Sequence, residues 1–147
     1  MTRFHIDEIW KEIPFNVGAL RFRYAVSNHG RVLSFTNDFE DGTILKGSKI
    51  GGYPVLSVRP FGKNKTFYLH KLVGEYFLTK VSKDQTYVIH VDYDKRNNHI
   101  DNLKCASKRE MELHQKNSPF VIEAREKRKQ RLVIPYLKGG PFPLQYK

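Results

Sequence analysis

The order of apolar and polar positions gives the first outline of the molecule. Phe22, Tyr24 and Val26 alternate with Arg23, Ala25 and Ser27, the period of two expected of a half-buried strand. Asn28-His29-Gly30 reads as a turn, and residues 31–35 return as a second strand. Upstream, Ile9, Trp10, Ile13 and Phe15 form an apolar group before Asn16-Val17-Gly18. Residues 36–52 read as a polar loop around a short strand at 43–45. Residues 53–68 read as a further hairpin: Tyr53, Val55 and Ser57 alternate with Pro54, Leu56 and Val58, and Gly62-Lys63-Asn64 turns the chain.

The period then changes. Leu72, Val73, Tyr76 and Phe77 fall at helical spacing, which predicts a short buried helix over 70–77. Residues 86–91 are β-rich and run into a polar loop at 92–102. Ser107-Lys108-Arg109-Glu110 has the form of a capping box opening a helix to Lys116. Ser118-Pro119 starts another, since proline suits the first helical position. It is expected to run from Phe120 to Leu132 and to end at Ile134-Pro135, before an extended Gly-Pro arm. The pattern predicts an α+β protein in three segments: 1–52, a β-hairpin module and loop; 53–116, a second hairpin, a short helix, a β-rich run and the capped helix; and 117–147, a basic helix and tail.

Composition narrows the class. A chain of 147 residues with 39% apolar and 13% aromatic side chains is enough for one domain with a core. No apolar run approaches the ~18 residues of a membrane span. Cys105 is the single cysteine, which excludes an internal disulfide and a Cys-rich zinc site. The N-terminus lacks an apolar signal core, and Asp7, Glu8 and Glu12 do not suit an acidic-poor presequence. An intracellular protein that folds without cross-links is expected, with no membrane partner.

Charge points to a partner. The net charge of +11 divides into +5 over residues 1–80, zero over 81–115 and +6 over 116–147. Such a distribution fits a polyanion. The candidate phosphate contacts are Arg21, Arg23 and Arg31 on the first hairpin, Lys63 and Lys65 on the second turn, and Arg125, Lys127, Arg128, Lys129 and Arg131 on the last helix. Tyr53, Phe61, Phe67 and Tyr68 read as hairpin core in preference to base-stacking residues. His70 reads as a packing residue, Cys105 as a small core residue, and His5 and His29 as solvated. Asn97 and Asn98 read as partners for loop backbone.

The run Val88-Ile89-His90-Val91-Asp92-Tyr93-Asp94-Lys95-Arg96-Asn97-Asn98-His99-Ile100-Asp101-Asn102-Leu103, followed by the capped helix, resembles the ββα-metal module of HNH endonucleases of phage and organellar introns. Residues 8–14 with 24–32 resemble the N-terminal nuclease-associated motif of homing endonucleases, and Phe67–Val73 with Phe77 the segment before the metal site. The resemblance implies a general base at His90, an orienting asparagine at Asn102, and one divalent cation such as Mg²⁺. It also implies, as metal ligands, an Asp before the histidine and an Asn, or a His nitrogen, on the helix. This chain has Ile89 and Met111 there, and neither an aliphatic side chain nor a thioether binds Mg²⁺.

The favoured expectation is therefore a scaffold kept without its catalyst. It would use no cofactor and bind nucleic acid, RNA in preference to DNA, within a large assembly such as an organellar ribosome. The alternative is an active site-specific DNA endonuclease, with a divalent ion held by His90, Asp92 and His114, in a mitochondrion or a phage-infected cell. A third reading is a phage or host protein-interaction scaffold.

Overall fold

The computed structural model describes residues 4–15 and 20–138. Among the described residues, nine strands and three α-helices fall into two compact units, Met1–Lys108 and Arg109–Lys147. The arm expected beyond the last helix lies outside the described residues.

The first unit opens with a four-stranded antiparallel sheet of β1 (Trp10–Ile13), β2 (Arg23–Ser27), β3 (Val32–Phe35) and β4 (Thr43–Ile44). Val26 lies opposite Val32 and Ala25 opposite Leu33. Because successive side chains point to opposite faces, the sheet is apolar on both. One face packs Ala25, Leu33 and Phe35 against Phe4, Trp10, Phe39 and Ile44. The other sends Ile13, Val26 and Val32 into the main core.

A second sheet follows, with β5 (Ser48–Ile50), β6 (Tyr53–Val58) and β7 (Lys65–Tyr68). β5 replaces part of the loop expected at 36–52. Its three residues are exposed, so no alternation marks it, and it forms through backbone pairing with β6 alone. Tyr68 leads directly into helix α1 (Leu69–Phe77), whose Leu72 and Val73 are buried. Lys11 Nζ donates to the Tyr76 carbonyl at the helix end (2.7 Å) and lies over the Phe77 ring, a favourable place for a cation.

A two-stranded ribbon, β8 (Tyr87–His90) and β9 (Leu103–Ala106), crosses beside α1. Gly74 is required there, because a Cβ would stand 2.6 Å from Val88 Cγ2. Leu56, Val58, Leu72, Val73 and Leu103 join Ile13, Val26 and Val32 in one cluster. The boundary expected at 52–53 thus runs through a shared core. The hairpin module and the ββα strands are one body up to Lys108.

The second unit holds nearly all of α2 (Lys108–Lys116) and α3 (Pro119–Lys138). Both begin where the capping pattern and the proline place them. α3 runs on through Pro135 instead of ending there. The missing proline N–H removes one backbone bond without stopping the helix.

The N-terminal segment is fastened by a part-buried ion pair. Glu8, with its side chain fully enclosed, accepts from Arg31 Nε at 2.9 Å and from the second guanidinium nitrogen. Ser27, itself buried, accepts from the His29 and Arg31 amides (3.1 and 3.2 Å) and hydrogen-bonds the same carboxylate. Burial alone would raise the Glu8 pKa. Arg31, Ser27 and the His5 amide outweigh it and hold the carboxyl down at about 2. Since the folded pKa lies below the unfolded 4.5, this stability is fully present above pH 4.5 and is lost as pH falls toward 2. Glu8→Gln is expected to cost roughly 2–3 kcal/mol at pH 7 and to remove part of the acid-induced loss between pH 4.5 and 2, read by thermal melts across pH.

Candidate nucleic-acid interface and the His90 centre

His90 ends β8 with 7% of its surface exposed. Its Nε2 meets Asn98 Oδ1 at 2.6 Å, and Asn98 is buried as well. The asparagine that holds the candidate base is therefore Asn98, where Asn102 had been expected. Asn102 acts one step away. Its Oδ1 accepts from the Asp92 amide (3.0 Å), and its Nδ2 donates to Asp92 Oδ1 (2.8 Å) and to the Asn97 carbonyl (2.9 Å). The reason is register: the Val91 amide bonds the Asn102 carbonyl just past the ribbon's last pair, His90 with Leu103. That leaves the Asn102 side chain over the loop, and Asn98 reaches the ring.

Asp92 braces the loop. One carboxylate oxygen accepts from the Asp94 amide and Asn102, the other from Asn97, all at 2.8 Å. Asn97, the Asp94 amide and Asn102 together hold its pKa below the usual carboxylate value. Tyr93 then takes a left-handed φ of 64°, and its amide closes the turn onto the His90 carbonyl.

The polar atoms beside His90 are engaged within the loop. Mg²⁺ requires an octahedral shell of oxygens. The one carboxylate in this loop next to His90 is bonded at both oxygens within the loop, and His90 Nε2 is already engaged. Ile89 pairs with Lys104, so the position before His90 offers a hydrocarbon across from an exposed ammonium. Within the first unit, no third imidazole or carboxylate joins His90 and Asp92 at ligand distance among the described residues. His114 and Met111 lie on α2, in the second unit.

His70 packs beside His90, ring centroids 5.0 Å apart, with Tyr53 at 5.2 Å. Its Nδ1 is buried with no hydrogen-bond partner. Burial, then the neighbouring His90 and Lys71, push its pKa down to about 4.

The basic residues separate by partner. Arg23 is forked onto Glu12 (2.9 and 2.6 Å) and lies over Phe35. Arg31 is taken by Glu8. Both, expected at phosphates, are each paired with a glutamate on a neighbouring segment. Arg21, Lys63 and Lys65 remain exposed. On α3, Lys127 pairs with Glu123 (2.9 Å) and Lys129 with Glu126 (3.6 Å), both at the surface, where such pairs are worth little. Arg125, Arg128 and Arg131 are exposed on the same helix. Phe61, expected in the hairpin core, stands 72% exposed in the β6–β7 turn at a φ of 53°. Tyr53, Phe67 and Tyr68 pack with neighbouring rings as expected.

Two functional features escaped the sequence reading. One is the Asn98–His90 bond. The other is the meeting of His5, His29 and His99, with His29 stacked on His5 at 4.6 Å and edge-on to His99 at 4.5 Å. His5 is exposed as expected, whereas His29, expected to be solvated, is half-buried. The only sequence signal was that three of six histidines flank the two polar turns.

The turn between β2 and β3 sets the loop that carries Asn98. The Ile100 amide donates to the Asn28 carbonyl (2.9 Å). Gly30, at φ +78°, lies so close that a Cβ would stand 2.6 Å from Asn98 Cβ and its carbonyl oxygen. Gly30→Ala is expected to lower stability by about 1–3 kcal/mol and to shift the His90 ring resonances, read by thermal melts and NMR. Because the folded pKa of His70 lies below the unfolded 6.5, the unfolded chain takes the proton first. Stability is full above pH 6.5 and falls as pH drops toward 4, by roughly 3 kcal/mol at most. His70→Gln is expected to flatten that part of the stability–pH curve.

Comparison with known proteins bears on the whole arrangement. Residues 8–59 match the family model of the NUMOD4 motif, and residues 67–113 match that of the HNH endonuclease. Two uncharacterised HNH endonucleases of Acanthamoeba polyphaga mimivirus are 33% and 34% identical over 97 and 95 residues, covering 66% and 65% of this chain. The chain spans about a quarter of the length of these relatives, 24% and 26%. Among solved structures, the HNH homing endonuclease I-HmuI, described for its DNA binding and cleavage, superposes with a TM-score of 0.57 at 29% identity. The match covers 82% of this chain and 66% of that one. In this order on one shared core, the chain carries residues that match a NUMOD4 motif followed by residues that match an HNH endonuclease module, and on these its similarity to those proteins rests.

Proposed function

We propose that the chain binds duplex DNA on this HNH scaffold without cleaving it. The observation that carries the reading is Ile89. It stands immediately before the candidate base, where the family resemblance implies an acidic ligand, and it pairs across the ribbon with Lys104. Met111 at the helix ligand position and the hydrogen-bonded Asp92 support the same conclusion. An HNH reaction needs a cation to stabilise the leaving oxygen, and these residues supply no oxygen set to hold one.

Binding relies on what the fold leaves available. Arg21 just before β2, Lys63 in the β6–β7 turn and Lys65 at the start of β7 offer charge from the first unit, and Phe61 offers an exposed ring in that same turn. Arg125, Arg128 and Arg131 offer charge from α3. Phosphate contacts of this kind give affinity that falls steeply with salt. DNA is preferred as the partner because I-HmuI, which shares the fold, binds it. The ribonucleoprotein alternative, with RNA as partner in an organelle, draws on the basic tail.

A second reading is an active metal-dependent endonuclease using His90, Asp92 and His114. The hydrogen bond that Asn98 Oδ1 accepts from His90 Nε2 favours it, since it holds an imidazole in one orientation. One experiment separates these readings. The full chain is titrated with duplex DNA and structured RNA from 50 to 300 mM salt, then incubated with supercoiled plasmid and Mg²⁺ or Mn²⁺. The expected result is tighter binding to DNA, steep salt dependence weakened by Arg125→Ala with Arg128→Ala, and no nicking. Metal-dependent nicking that His90→Ala abolishes would overturn the non-cleaving reading. Preference for RNA would replace DNA as the partner.

A further inference from the structure

The cluster at the other end of the Asn98 loop is independent of the His90 centre. Asp7 Oδ1 lies 3.0 Å from His29 Nε2. A ring nitrogen of His99 completes a set of three donor atoms, all within 4.8 Å of one another. The residues come from three separate segments: the stretch before β1, the β2–β3 turn and the loop between β8 and β9. From this geometry we infer that Asp7, His29 and His99 bind a borderline transition-metal dication of the Zn²⁺ class, which clamps these three segments together.

Three observations support the assignment. First, the donor set suits the ion. Two imidazoles and a carboxylate are a three-ligand set that Zn²⁺ accepts with water in the fourth position, whereas Mg²⁺ disfavours nitrogen. Second, an Asp–His bond needs only one imidazole. Here His29 is flanked by His5 and His99 at ring-centroid distances of 4.6 and 4.5 Å, and three imidazoles this close repel one another when protonated.

Third, the backbone holds each ligand in place without the metal. The Asp7 carbonyl accepts from Asn28 Nδ2 (3.2 Å), and the Ile9 amide donates to Asn28 Oδ1 (2.8 Å). The His29 amide is fixed by Ser27 Oγ. His99 is anchored by the Asp101 amide on its Nδ1 (3.1 Å) and by the neighbouring Ile100–Asn28 bond. Ligands preset in this way lose little conformational freedom when an ion arrives.

The ion would be structural. It would tie the NUMOD4 turn to the HNH loop one residue from Asn98, and so stiffen the support of His90 without touching it. The test uses the full chain freed of metal by chelation and dialysis, titrated with Co²⁺ and, separately, Zn²⁺. One equivalent of Co²⁺ is expected to give visible absorption in the range for four- or five-coordinate cobalt. Zn²⁺ at about a hundred times its Kd is expected to raise Tm by roughly 5–10 °C, while Mg²⁺ at the same concentration does neither.

His29→Asn with His99→Asn should abolish both signals while leaving the circular dichroism of the metal-free protein unchanged. Asp7→Asn should weaken binding, and His90→Ala should leave it intact. The inference is overturned if no stoichiometric site is found. It is equally overturned if Zn²⁺ binding survives the double substitution, or if it is lost with His90 or His114 instead.

Discussion

One contact between two turns governs the arrangement around His90. The β2–β3 turn accepts the Ile100 amide at Asn28, and at Gly30 it comes so near Asn98 that no side chain fits between them. Asn98 in turn holds His90. The geometry of the candidate base is thus fixed by backbone that lies some sixty residues earlier in the chain. That backbone is itself rigid: Ser27 ties together two amides and a carboxylate beneath it, and the Glu8–Arg31 pair closes it from the N-terminal side. The NUMOD4 region is therefore a structural wall of the HNH loop, whatever it also contributes to a ligand.

Local periodicity made much of the fold legible. The alternations at 22–26 and 53–58 became β2 and β6, and the helical spacing at 70–77 became α1. Elements without a side-chain pattern were not legible. β5 is three exposed residues held by a neighbouring strand, and β9 begins at the Asn-Leu pair with only four residues. The candidate site divided in the same way. His90 followed from its motif, but the asparagine that touches it depends on the ribbon register, which determines whether residue 98 or 102 lies over the ring.

Electrostatics gives the clearest case of a sequence property that the fold redistributes. Arg23 and Arg31 lie in a basic stretch and look available, yet Glu12 and Glu8, eleven and twenty-three residues away, neutralise them. Each guanidinium also covers an aromatic ring, Phe35 and Trp10 respectively. A planar, always-charged group suits such two-sided roles better than lysine. Two of the three candidate cations of the first hairpin are thus already paired within the fold, while Arg21, Lys63, Lys65 and the arginines of α3 stand exposed.

The core cluster shared by Ile13, Val26 and Val32 with Leu72, Val73 and Leu103 has a consequence for how such chains diversify. As sequence patterns, the two motifs look like interchangeable cassettes. Physically, they are halves of a single interior, with a glycine at each close approach, Gly30 against the loop and Gly74 against Val88. Shuffling one half against a foreign partner would have to match both surfaces at once. A lineage that keeps this pair can change its charged turns, or lose its metal ligands, far more readily than it can exchange either half.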